Sequence, residues 1–207
     1  MTSGTLLRRT AFATAATGAA AALVVGVAPS ANAEVWVLNY HADVTSTIKK
    51  LNQTVKFPRG SASTSLDLAT RKITGGTVTL PAATATMSIA GLPLVKVTQK
   101  VEQVGTVTGV LDDANRITVT QRFNIRITRV EALGIPVNLV PSTCITSTPV
   151  TAVLKGQLGG FYDPYTLNGT YTIPKFKQCG LNTLLLNLAI PGPGNTLKAT
   201  FSLKPAF

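Results

Sequence analysis

Acidic groups are scarce in this chain. Eight Asp and Glu stand against nineteen Lys and Arg over 207 residues, a formal charge of +11 at pH 7, and charged residues make up only 13% of the total. There is one histidine and one tryptophan, and there are two cysteines. Each shortage excludes a class of chemistry. A zinc site takes four ligands, more than one His and two Cys supply. A Ser-His-Asp triad would have to use His41 with Asp43, two residues along on the same strand face, and no GxSxG elbow accompanies them. A glycosidase needs two facing acids about 5–10 Å apart. Asp112 and Asp113 adjoin, but within the turn sequence "DDAN", where Asp serves local hydrogen bonds. No CxxC and no phosphate-cradling glycine motif occurs. The expectation is a protein that is not an enzyme and uses no metal or other cofactor.

Long apolar runs are missing beyond the N-terminus. A bilayer span needs about 20 residues, and "LNTLLLNLAI" (Leu181 to Ile190) is far shorter. The one longer run, Ala11 to Ala28, follows Arg8 and Arg9 and leads into "ANA" at Ala31 to Ala33. A basic start, an Ala-rich apolar stretch and a small-x-small site predict a secretory signal peptide over residues 1–33, cleaved after Ala33. The adjacent arginines leave general and twin-arginine export both open. The remaining residues 34–207 form one domain by length, with seventeen basic and eight acidic groups and a net charge of +9. A secreted or extracytoplasmic protein without a transmembrane anchor follows. In that oxidising compartment Cys144 and Cys179 are expected to form one disulfide. Closing a loop of 35 positions contributes about 4 kcal/mol in the chain-entropy model.

What is abundant is alternation. In "RITVTQRFNIRITRV" (Arg116 to Val130), Ile117, Val119, Phe123, Ile125 and Ile127 hold the odd positions. Arg116, Thr118, Thr120, Arg122, Asn124 and Arg126 hold the even ones. A period of two predicts a strand with one buried and one wet face, and Arg129, on the apolar parity, predicts a bulge or the strand's end near Thr128. Residues 116–128 exceed the usual strand of about 3–10, which calls for twist or curvature. Further strands are expected around Val95 to Val101, Leu66 and Leu68, Ile73 to Leu80, Val150 to Lys155, Thr166 to Ile173 and Thr196 to Leu203. "GLPLV" (Gly91 to Val95) and "GIPV" (Gly134 to Val137) look like two strands entered by the same turn, or a duplicated hairpin. Leu181, Leu184, Leu185 and Leu188 are spaced as one face of a short helix, with a buried strand as the competing reading. The fold class is therefore all-β: a single antiparallel β-sandwich or barrel-like domain with at most one short helix near the C-terminus.

The stretches "GIPVNLVPSTCITSTPV" (Gly134 to Val150), "NGTYTIPKFKQCG" (Asn168 to Gly180) and "GPGNTLKATFSLKP" (Gly192 to Pro205) resemble a family of small exported actinobacterial proteins of unknown function. The resemblance implies export, a β-rich fold and a Cys144–Cys179 bridge, and it carries no activity and no functional residue.

Three readings of function remain. Long amphipathic strands curling around a cavity would carry a lipid or other apolar small molecule, provided the interior exceeds its own side chains. A basic sheet face of Lys96, Lys100, Arg116, Arg122 and Arg126 would hold an anionic envelope polymer or lipid surface. Nucleic acid is not expected there, since the face interleaves Thr and Asn rather than stacking aromatics. A hydrolase would need a cleft around His41.

Overall fold

The computed structural model describes residues 34–88, 94–132, 137–160 and 162–205. The expected signal peptide, and most of both Gly-x-Pro stretches, lie outside these residues. Among the described residues thirteen strands form one antiparallel sheet. In chain order they are β1 (Val35–Ile48), β2 (Gln53–Lys56), β3 (Gly60–Asp67), β4 (Lys72–Thr79), β5 (Ala83–Met87), β6 (Val95–Gln103) and β7 (Thr108–Leu111). There follow β8 (Arg116–Ala132), β9 (Ile145–Thr146), β10 (Val150–Gln157), β11 (Tyr165–Ile173), β12 (Phe176–Lys177) and β13 (Gly192–Leu203). One α-helix, α1 (Thr183–Ala189), precedes β13.

The pairing path closes on itself. It runs β1–β3–β4–β7–β8–β10–β11–β13 and returns to β1, an eight-stranded barrel, which is the curled form of the expected fold. β8 is the strand that makes closure possible. Its first half pairs with β7 on one edge and β10 on the other, while its second half carries β6 and β5 beyond the ring. Ile117, Val119, Phe123, Ile125 and Ile127 point inward as the alternation requires. Thr98 faces Arg129 and Gln99 faces Ile127, so β8 holds one extra residue at Thr128. The bulge turns Arg129 outward and puts Val130 and Ala132 inside. The strand thus continues past the irregularity rather than ending there.

β1 shows the same logic, with Tyr40, Ala42, Val44, Ser46 and Ile48 inward and His41 and Asp43 on the outer face. The stretch from Leu94 to Leu111 is two strands, β6 and β7, which share one edge of β8 and are divided near Gly105. Tight coiling at β10 and β11 depends on Gly156 and Gly169. A Cβ on either would lie 2.3 Å from a carbonyl oxygen of the neighbouring strand.

The C-terminal helix is present but turned. Leu186, Ala189 and Ile190 are buried, whereas Leu181, Leu184 and Leu188 of the expected apolar face are exposed. Leucines occupy most of the helix circumference, so spacing alone does not choose a stripe. The stripe containing Ala189 lets the helix approach the barrel closely and leads through Ile190 into β13. Cys144 and Cys179 form the disulfide, both fully buried, and it ties the segment before β9 to the turn that enters α1.

Candidate functional site

The barrel is not filled by its own side chains. A central cavity of about 90 Å³ is lined from β1, β3, β4, β6, β8, β10, β11 and β13. A second, of about 70 Å³, shares Thr64, Ile73, Ile117 and Tyr165 with it and extends toward Leu38, Leu66, Leu111 and Leu158. A third, of about 10 Å³, shares Gln99, Ile125 and Tyr171 and reaches Ile48, Met87 and Ile190 at the helix end. The central cavity thus shares walls with both of the others. Protein interiors contain few voids larger than a water molecule. The central cavity alone costs on the order of 2 kcal/mol if empty.

Small side chains open this space. Ala62 and Ala199 face the cavity, with Ser46 and Thr64 beside them, at inward positions where a packed barrel would place branched residues. Aromatic groups frame it. Tyr165 stacks on Phe201 with ring centroids 5.3 Å apart and meets Tyr40 edge-on at 5.6 Å, while Phe123 and Tyr171 lie 6.0 Å apart. Burial pushes the Tyr40, Tyr165 and Tyr171 hydroxyls above the usual tyrosine range, so all three stay neutral. No charged residue lines any of the three cavities.

Among the described residues one fully buried side-chain polar atom lacks a partner. Ser46 and Tyr171 share a hydrogen bond of 2.6 Å, and the Gln103 amide is engaged by the Gly76, Val78 and Gly105 backbone. Gln121 sits on the apolar parity of β8, 9% exposed, and lines the central cavity. Its Nε2 donates to the Arg122 carbonyl at 3.0 Å, and its Oε1 is buried without a partner. A lone buried acceptor is a poor water site, since a buried water makes about three hydrogen bonds. It is a suitable end point for one hydrogen-bond donor on an otherwise apolar molecule. The alternation in the sequence passed over Gln121. The signal was there: one polar residue in a row of five apolar ones.

The basic residues read from the sequence all lie on the outer face, but not as a free patch. Arg126 is held in a two-pronged contact by Glu102 at 2.5 and 3.0 Å and also donates to the Ser142 carbonyl. Arg116 is bound by Asp112 at 2.7 Å in the β7–β8 turn, at the opposite end of β8. Lys100 stands opposite Arg126, Lys96 opposite Glu131, and Arg122 projects to solvent. Arg129 pairs with Glu131 at 2.6 Å. The guanidinium groups hold Glu102, Glu131 and Asp112 below the usual carboxylate range. Two of the five, Arg116 and Arg126, are thus ion-paired, while Lys96, Lys100 and Arg122 are exposed.

Asp43, the carboxylate nearest His41 in sequence, is engaged elsewhere. Arg59 takes both oxygens of Asp43, at 3.0 and 2.9 Å, so that carboxylate is not oriented toward an imidazole. Asp112 accepts from the Ala114 and Arg116 backbone, as a turn Asp does. Among the described residues no three His, Cys, Asp or Glu gather as metal ligands, and no helix is long and apolar enough to cross a membrane. Comparison with protein-family models, with curated proteins and with solved structures gives no match.

Proposed function

We propose that this protein is a non-enzymatic binder of a small, neutral apolar molecule, held inside the barrel with a single hydrogen-bond donor directed at Gln121. The carrying observation is the central cavity, lined without a charged residue among those described and bordered by one buried unpartnered acceptor. Eight strands enclose about the space that one small ligand occupies. A carboxylate ligand is disfavoured, because its charge would be buried without a cation. The disulfide is compatible with work outside the cytoplasm, where a carrier of water-insoluble molecules has a use.

Calorimetric titration with a short-chain alcohol, and with the carboxylate of equal length, tests this reading. The alcohol binds, and the carboxylate binds more than about tenfold less well. Ala199→Leu, which fills the central cavity, abolishes binding. Gln121→Leu weakens the alcohol by roughly three- to tenfold, the worth of one hydrogen bond. An alcohol that does not bind, or binds Ala199→Leu as well as the unaltered protein, refutes the assignment.

A further inference from the structure

α1 and the 3-10 turn that leads into it (Gly180–Asn182) present three leucines to solvent. Leu181, Leu184 and Leu188 are 102%, 72% and 63% exposed and lie on one helical face. The opposite face is fastened. The Asn187 side chain bonds both the N–H and the carbonyl of Phe176 at 2.6 and 2.9 Å, Asn182 donates to the Leu139 carbonyl, and the buried disulfide lies one turn before. The leucines therefore stand on a rigid platform rather than a frayed end.

Lysines surround that platform. Lys175 and Lys177 flank Phe176, and the Lys50 ammonium, on the short turn Lys49–Leu51 after β1, donates to the Leu188 carbonyl. Lys49 precedes it, with its stem over Gly194. Neither residues 48–66 nor residues 174–207 contain an acid. Glu34, Asp67, Asp112, Asp113 and Asp163 all belong to the opposite end of the barrel, where Val35 pairs with Asp67 and the β7–β8 turn meets Arg71 and Leu158. The remaining carboxylates toward the helix end, Glu102 and Glu131, are bound by Arg126 and Arg129.

We infer that this helix end docks on an anionic lipid bilayer surface, with Leu181, Leu184 and Leu188 inserted among the acyl chains and Lys49, Lys50, Lys175 and Lys177 at the headgroups. Exposed apolar side chains beside cations, with the nearest carboxylates already held by arginines, have the amphipathic pattern of interfacial anchors. Ile190, which follows α1, lines the smallest of the three cavities, so docking brings that cavity toward the membrane. The docking argument stands independently of what the cavity holds.

Co-sedimentation of the purified protein with sucrose-loaded vesicles tests it. Vesicles rich in phosphatidylglycerol retain the protein, while pure phosphatidylcholine vesicles, or high salt, weaken binding more than about tenfold. The pair Leu184→Ser and Leu188→Ser, and separately Lys175→Glu and Lys177→Glu, each reduce binding more than about tenfold with an unchanged melting temperature. Retention that ignores the leucine substitutions overturns the inference, as does equal binding to both vesicle types. So does concentration-dependent dimerisation that those substitutions abolish, which assigns the leucines to a second copy of the chain.

Discussion

Arg126 and Glu102 face each other from β8 and β6, and their pairing has a measurable consequence. The guanidinium holds the Glu102 carboxyl below its ordinary 4.5, and Arg116 and Arg59 do the same for Asp112 and Asp43 relative to 3.8. A carboxyl with a lower pKa folded than unfolded contributes stability above the unfolded value and loses it as pH falls through the folded one. The melting temperature is therefore flat from pH of about 7 to 5 and falls below about 4.5. Arg126→Gln melts lower at neutral pH and shows a shallower acid decline; a variant with the parent's full decline contradicts this role for Arg126. Parity places the outer arginines on the wet face, but which of them meets a carboxylate is set by register and turn geometry, which the sequence does not display. Gln121 was legible in principle, as the one polar residue on the buried parity of β8, yet its meaning depends on the alanines of β3 and β13 that leave space before it.

At the scale of elements, β8 was the most readable segment and α1 the least. Seventeen residues with a period of two and one outlier, Arg129, define a strand with a bulge, because every side chain must choose a face and the arginines cannot go inward. In α1 the leucines at 181, 184, 185, 186 and 188 suit more than one stripe, and tertiary contact decided between them. The disulfide is part of that decision, since it anchors the turn from which the helix starts. Replacing both cysteines, Cys144→Ala with Cys179→Ala, costs about 4 kcal/mol and lowers the melting temperature by about 10 °C. Amides of α1 then exchange faster than those of β8. A double variant that melts with the parent would mean that the bridge contributes nothing to the fold.

For the whole molecule, alternation and turn signals established an all-β domain but not its closure. Whether β8 finds β10 across the ring, and whether eight inward faces fill the space they enclose, are properties of strand order and side-chain volume summed around the barrel. The inward alanines at 42, 62, 152 and 199 lie on four different strands, and only the closed ring gathers them. The charge asymmetry arises the same way: five of the eight acids, scattered along the chain, meet at the end of the barrel away from α1 only once the strands are paired. The central claim, that the interior is a binding site for a neutral apolar molecule, is tested most directly by native mass spectrometry of the protein recovered from its own host without detergent. The account predicts a non-covalent adduct that passes into organic solvent, is uncharged and carries a hydroxyl or amide. A spectrum containing the bare polypeptide alone, or an adduct that is an acid or a sugar, contradicts it.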